Sequence, residues 1–359
     1  MSSRVDVSIV IPTYNERENI ARLIKVLHDL MVENGFSYEI VVVDDNSPDG
    51  TADAVRAAQN HYNVKLIVRP GKMGLASAVL EGFRAARGSL LAVMDADFQH
   101  PPEALPEMLK KALGECDVVV GSRYVRGGST RGWSPPRKII SRGADLIAKV
   151  LLPKTRKIKD TMSGYFVLRR EVIDGVSLDP RGFKILLEVL VKGRYRKACE
   201  HPIEFRARVW GKSKLGTTEI FNYLLHVLNL AHESIRFVLV GGLGTIVNLT
   251  ALYLLGYLLG VEHWVAVPLA FEVSTLFNFV MHEVWTFKSA FSRGVIKRLA
   301  EFHGATVVHF VSQVTVSNAL FYGYGVERVV SQLISIVVGF FLNYVLSRYI
   351  VWRKALVRF

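Results

Sequence analysis

Hydrophobic and polar positions change rhythm twice along this chain. Up to about residue 130, short apolar runs alternate with stretches that repeat every three to four residues. Residues 5–11, 38–43, 64–68, 89–94 and 117–120 read as five strands. The helical period fills the gaps between them: from Asn15, with Asn15 and Glu18 placed to cap, to Glu33; after Gly50; over residues 75–86; and from Glu103, behind Pro101 and Pro102. Apolar strands alternating with amphipathic helices predict an α/β domain with a mostly parallel, doubly wound sheet.

Beyond Pro135 the pattern is different. Residues 136–152 gather Ile139, Ile140, Ile147, Val150 and Leu151 on one helical face, ringed by Arg137, Lys138, Arg142 and Lys149. A core-packed helix with a solvated basic face would look similar. A second amphipathic stretch, residues 220–231, runs straight into strongly apolar sequence, which favours two helices lying in a membrane interface. Four apolar segments follow, at 236–259, 264–287, 303–323 and 329–351, each near the roughly 20 residues that span a bilayer. Basic residues collect at 288–302 and after 352, and the 260–263 connection has none, so the positive-inside rule places both termini and the front domain in the cytoplasm. The expected organisation is a domain over 1–215, an interfacial linker helix over 216–234 and a four-helix membrane domain over 235–359. The membrane hairpins look duplicated: Asn278, Phe279, Val280 and Met281 match Asn343, Tyr344, Val345 and Leu346. That alignment sets Glu283 level with Arg348 and predicts an ion pair between them.

Half of the 359 residues are hydrophobic, and the excess sits after residue 235. The formal net charge of +13 calls for an anionic partner, either a phosphorylated substrate or the lipid bilayer surface. No nucleic acid partner is expected, because no groove-reading helix or aromatic-basic RNA motif occurs. Cys116 and Cys199 are far apart and are expected to be reduced. No signal peptide is expected, since strand-like sequence begins at Val5.

The chemistry concentrates where strands end. Residues 89–94 run into Asp95, Ala96, Asp97, Phe98, Gln99 and His100. Ligands of open α/β sheets bind beyond the carboxyl ends of strands. Two carboxylates there repel unless a cation lies between them, and Asp97 and Gln99, with Asp95 as a third candidate, offer the hard oxygens that Mg²⁺ or Mn²⁺ prefers. Pro12, Tyr14 and Glu16 end the first strand, Asp45 the second, and Gly121, Ser122, Arg123 and Tyr124 the fifth. Tyr14 could cover a base, and Asp45 could accept hydrogen bonds from a base or ribose. Asp49 reads as turn chemistry. Arg208, Gly211, Lys212 and Lys214 form a basic loop suited to a diphosphate leaving group.

Taken together, these motifs resemble dolichol-phosphate mannose synthases, family 2 glycosyltransferases of the GT-A (Rossmann-like) fold. The resemblance rests on Pro12 to Glu16, Asp44 with Asp45, Ser47 to Thr51, Met94 to Glu103, Gly121 to Tyr124, Ser163 with Gly164, Gly182 to Lys184, and Ser213 to Leu215. The membrane part is similar to GtrA-type four-helix domains. The resemblance implies inverting transfer of mannose from GDP-mannose to dolichyl or another polyprenyl phosphate. It implies that Pro12, Tyr14, Glu16, Val43, Asp45, Asp95 and Ala96 hold the donor, with Lys184 near it. Asp97 and Gln99 would hold the metal, Arg208 and Lys214 the diphosphate, and Arg123, Arg137 and Ser141 the acceptor phosphate. Phe98 departs from the family, where Leu is frequent, as do Val209 and Trp210 within the basic loop. A processive polysaccharide synthase would need a Gln-x-x-Arg-Trp motif, which is missing. Two other readings stay open: a UDP-sugar-dependent transferase of glucose or N-acetylglucosamine, and a lipid-linked-sugar transporter using polar intramembrane residues such as Asn248, Asn278 and Gln313.

Overall fold

In the computed structural model, residues 5–131, 133–179, 184–206, 217–287, 294–326 and 328–352 are described. They fall into two compact units, residues 1–230 and 231–359.

The first unit is a seven-stranded mixed sheet. Strands β1 (Val7–Thr13), β2 (Tyr38–Asp44), β3 (Val64–Val68), β4 (Leu90–Val93) and β5 (Val118–Ser122) coincide with the expected apolar runs. Strands β6 (Phe166–Arg169) and β7 (Ala198–Pro202) complete the order β3-β2-β1-β4-β6-β5-β7. Only β6 runs antiparallel, between β4 and β5. Helices α1 (Arg17–Glu33), α2 (Thr51–Ala58), α3 (Leu75–Ala85), α4 (Leu105–Gly114), α5 (Pro135–Leu151), α6 (Ile185–Lys192) and α7 (Thr217–Leu230) accompany them.

Strands buried on both faces explain the continuous apolar runs. On one face Ile9 and Ile11 pack with Ile20, Leu23 and Leu27 of α1; on the other Val10 and Val43 pack with Val79 and Phe83 of α3. Two expectations are corrected here. Asn15 does not cap α1: it adopts a left-handed φ of 60°, and its N–H donates to Ser47 Oγ at 2.9 Å. Nor are the cysteines reduced. Cys116 precedes β5 and Cys199 lies on β7, which pairs with β5, and the two are joined in a disulfide. Sheet pairing closes the distance that 83 residues of sequence conceal.

The second unit holds α8 (Glu233–Tyr253), α9 (His263–Met281), α10 (Val295–Asn318) and α11 (Arg328–Leu346). Each runs into a five-residue π-helical stretch: Leu254–Leu258, His282–Thr286, Ala319–Gly323 and Ser347–Val351. Residues 233–258 are long and apolar enough to cross a bilayer. Helix α10 starts before residue 303, so Lys297 and Arg298 sit on a helix rather than in a linker. Close packing of α8 on α9 needs a glycine at Gly244, where any Cβ would collide with the Asn278 amide.

The duplication has a constant offset. Starts of α9 and α11 differ by 65 residues, 263 against 328, and so do all four π-stretch boundaries: 254 against 319, 258 against 323, 282 against 347, and 286 against 351. By that offset Glu233 corresponds to Arg298, and Glu283 to Arg348. The expected pair Glu283–Arg348 does not form. Arg298 instead forks onto Glu283, with Nε 3.2 Å from Oε2, and Trp352 Nε1 donates to the same carboxylate at 2.8 Å. Arg348 pairs with Glu233. The pairing is crossed: the first charged position of each hairpin meets the second of the other, as a two-fold relation between equivalent hairpins would give.

Two outcomes follow for stability. Reducing the disulfide, or replacing both cysteines by serine, should cost about 4–5 kcal/mol on the chain-entropy scale for an 83-residue loop; an unfolding transition of the first unit that ignores reductant would contradict this. In detergent, double-mutant cycles should give a coupling of about 0.5–3 kcal/mol between Glu283 and Arg298. Coupling of Glu283 to Arg348 instead would reinstate the rejected pair.

Candidate active site

The parallel strands deliver their carboxyl ends to one edge. The topological switch lies between β1 and β4, which are neighbours although two strands separate them in sequence. Three non-glycine residues adopt positive φ among the described residues, and all follow strands at this edge: Asn15 after β1, Asn46 after β2 and Phe98 after β4. Asparagine tolerates that region, whereas a phenylalanine at φ 58° is strained. Such strain clusters where geometry is used.

At Phe98 the chain reverses so that Gln99 N–H caps Asp97 Oδ1 at 3.1 Å. Asp97 and Gln99 are buried, while a third of the Asp95 side chain, at 34%, is exposed. The Gln99 amide nitrogen donates to Arg206 O at 3.2 Å, leaving its oxygen to ligate. Asp95 N–H donates to His100 Nδ1 at 3.1 Å, which puts the ring proton on Nε2. Burial lowers the His100 pKa to about 4, overriding the attraction of Asp97, so the ring is neutral at physiological pH. Sequence reading assigned His100 no role. Gly164 explains its motif here: a Cβ would lie 3.2 Å from His100 Cε1 and 3.6 Å from Asp95 Oδ2.

The donor-side residues behave unequally. Pro12 and Val43 are buried in or beside the strand ends. Tyr14 lies under Lys72, whose Nζ is 4.7 Å from the ring centroid. Glu16 Oε2 accepts from Asn19 Nδ2 at 2.8 Å. Asp49 takes the turn role, accepting from Thr51 N and Oγ1. Asp45 is already engaged. Its Oδ1 accepts from Arg69 Nε at 2.6 Å, and its Oδ2 from the amides of Met73 and Gly74 at 3.1 and 3.0 Å. Arg69, which no sequence motif marked, thereby shapes the loop carrying Lys72. Ala96 is buried, and Arg208 and Lys214, with Gly182, Phe183 and Ser213, lie outside the described residues.

The residues expected to meet the acceptor form a cationic stack. Arg123 is buried and forks onto Asp160, with Nε–Oδ2 and Nη2–Oδ1 both 2.7 Å, while its own N–H reaches Oδ2 at 2.9 Å. Burial would lower the Arg123 pKa; the Asp160 carboxylate outweighs it and keeps the guanidinium charged. Arg137 lies 4.1 Å over the Trp133 ring, and Arg123 lies 5.0 Å from it. Ser141 Oγ accepts from Tyr124 OH at 2.8 Å. Aromatic contacts then run from Trp133 to Phe205 (5.3 Å), to His100 (5.4 Å) and to Tyr165 (5.2 Å). The segment after β7 is pinned to both sides: Phe205 N–H donates to Ser129 O at 2.9 Å, and Arg206 N–H to Gln99 O at 3.0 Å. Acidic turn and cationic stack therefore belong to one site.

Asp95, Asp97 and the Gln99 oxygen are the kinds of donor that suit a hard divalent cation. Among the described residues, the cluster of three close ligand atoms is Glu115 with the disulfide cysteines. Three protein donors leave further coordination positions for phosphate oxygens, the usual way such an ion is shared with a substrate.

With this geometry in place, the comparisons are specific. Residues 8–176 match the model of glycosyl transferase family 2, and residues 236–352 that of the GtrA/DPMS transmembrane domain. A dolichol-phosphate mannosyltransferase of Pyrococcus furiosus is 42% identical over 96% of this chain and 99% of its own. Those of Mycosarcoma maydis and Saccharomyces cerevisiae are 38% and 36% identical, over 64% and 63% of this chain and 80% and 87% of theirs. The chain belongs to the dolichol-phosphate mannosyltransferase family, within glycosyl transferase family 2. It is a glycosyltransferase with a membrane domain.

Lys184 offers a test of the site's electrostatics. Its Nζ donates to Met162 O at 2.8 Å; burial, then the charge of Arg123, lower its pKa to about 8. It is charged below that pH and neutral above. Transfer should decline as pH rises through about 8, and Lys184→Arg should hold activity above it. An unchanged alkaline limb in that variant would remove Lys184 from the reaction.

Proposed function

We propose that this protein transfers mannose from GDP-mannose to a polyprenyl phosphate such as dolichyl phosphate, with inversion, at the cytoplasmic membrane face. The observation that carries the reading is one site with two charged sides, the acidic turn at Asp97 and the Arg123–Trp133–Arg137 stack, bridged by Phe205 and His100. The first side suits a nucleoside diphosphate, the second a phosphate monoester. The names of the relatives support the same pair of substrates.

Next to the cationic side stands α5. Its Ile139, Leu146 and Val150 are 72%, 63% and 58% exposed, as is Phe221 of α7 at 60%. A core-packed helix would bury these residues, so an interfacial position is favoured, with cations beside the apolar face for lipid headgroups. Helices α8 to α11 then cross the bilayer and anchor the enzyme as a multi-pass protein.

Asp97 and Gln99, with Asp95, would hold Mg²⁺ or Mn²⁺. The ion would offset the charge developing on the leaving diphosphate. Arg208 and Lys214 would add to that stabilisation. Tyr14 and Lys72 would cover the base, and Arg69 would hold Asp45 and its loop against it. Arg137 and Ser141 would orient the acceptor phosphate. Its oxygen is anionic near neutral pH, so it can attack the anomeric carbon without a strong general base. Inversion follows from attack opposite the leaving group, and positioning supplies most of the rate.

Assays of the full chain with GDP-mannose and UDP-sugars against polyprenyl phosphate test the reading, with mannosyl transfer from GDP-mannose expected to dominate. Asp97→Ala and Asp97→Asn should each lower transfer by orders of magnitude, about as much as EDTA does. Full activity in EDTA, or preferred use of a UDP-sugar, would overturn it.

A further inference from the structure

We infer that the Trp133 indole N–H is a direct donor to the acceptor anion, a phosphate monoester oxygen bound beside Arg137. The inference rests on the acceptor reading above and assigns a residue that reading does not use.

Indole nitrogen donates and cannot accept. Trp133 Nε1 is buried and has no hydrogen-bond partner among the described residues. Buried donors are rarely left so, because desolvation is then uncompensated. The groups packed on the ring do not answer it. Arg137 lies 4.1 Å from its centroid, Arg123 5.0 Å, and Phe205 stands edge-on at 5.3 Å. Two are guanidinium donors and one is a hydrocarbon. With no acceptor for it among the described residues, an acceptor from a ligand fits, and two cations against the ring select a negatively charged one.

Geometry divides the labour. Arg123 is clamped on Asp160 through Nε and Nη2, which makes it the fixed floor under the ring. Trp133 is itself held in a turn, its N–H donating to Thr130 O at 3.2 Å. Two residues later α5 begins, and its Ile139 and Ile140 are exposed. A phosphate at Trp133 can thus continue into an apolar tail along α5. A lipid monophosphate and free phosphate share the headgroup chemistry; only the first uses the tail path.

The test is calorimetry on the full chain in detergent, with farnesyl phosphate, inorganic phosphate and GDP as separate probes. Trp133→Phe keeps a ring between the arginines and removes the donor; Trp133→Leu removes both. In Trp133→Phe, farnesyl phosphate should bind roughly ten- to a hundredfold more weakly, the range of one hydrogen bond to a charged group. Inorganic phosphate should weaken in parallel and GDP stay within about twofold. Wild-type affinity for both phosphates in Trp133→Phe overturns the inference, and so does an equal loss of GDP binding. Wild-type protein that binds both phosphates equally, with Trp133→Phe weakening both, upholds the anion donor while refuting the lipid acceptor. Wild-type protein that binds neither refutes both.

Discussion

Asp160 is fully buried and accepts three N–H groups from Arg123 alone, and the architecture of the site follows from satisfying that charge. A buried carboxylate without a partner is expensive, and breaking such a pair leaves the other ion uncompensated. The segment around Asp160 is therefore tied down on every side. Glu200 of β7 accepts from the amides of Lys159 and Asp160, and Asp145 of α5 accepts from Thr161. Strand β5, strand β7 and helix α5 are thereby locked to one short loop. Arg123 is held rigid by the same network, and the Trp133 ring stacks on a cation that cannot move away. Sequence motifs named Arg123 and Arg137 but not the carboxylate that positions the first.

The membrane unit obeys the same rule. Hairpin one carries glutamate at both equivalent positions, Glu233 and Glu283; hairpin two carries arginine at both, Arg298 and Arg348. The crossed pairing makes two attractive contacts. Two copies of hairpin one would set glutamate against glutamate, and two of hairpin two arginine against arginine. The charge distribution thus admits one pairing of the hairpins and penalises both others. Aligning the repeats was correct as far as equivalence went. It misplaced the contact because equivalent positions in a two-fold arrangement face each other only on the axis.

Legibility was uneven for physical reasons. Strands β1 to β5 announced themselves because both faces are covered, so their apolar runs are continuous. Strand β6 is four residues long, and β7 reads Ala-Cys-Glu-His-Pro, too polar and too short to show a period. Both exist because the edges of β4 and β5 need partners, which is a tertiary demand. The disulfide was hidden for the same reason: it depends on β5 pairing with β7. Asp45 shows the limit at the level of a single residue. Its position at a strand end was readable, but Arg69, 24 residues away, engages its carboxylate, so position alone did not define its chemistry. Asp95, Asp97 and Gln99 could be read as one cluster because a single strand end and a single turn supply all three.

What joins the two charged sides is a neutral ring. Bringing carboxylates and guanidiniums into one site invites them to neutralise each other, leaving nothing for either substrate. Here His100 and Phe205 lie between them, and the His100 proton is fixed on Nε2 by the Asp95 N–H. Burial holds that ring uncharged, with a pKa of about 4. A charged imidazolium would pair with Asp97 and repel Arg123; a neutral one does neither. The strained turn at Phe98 lies in the same stretch, between Asp97 and Gln99 and two residues before His100. Separated charge is costly in the folded protein alone. Under the proposed function it would become favourable once an anionic group with its cation met the acidic turn and another met the stack, an arrangement that would favour both substrates together.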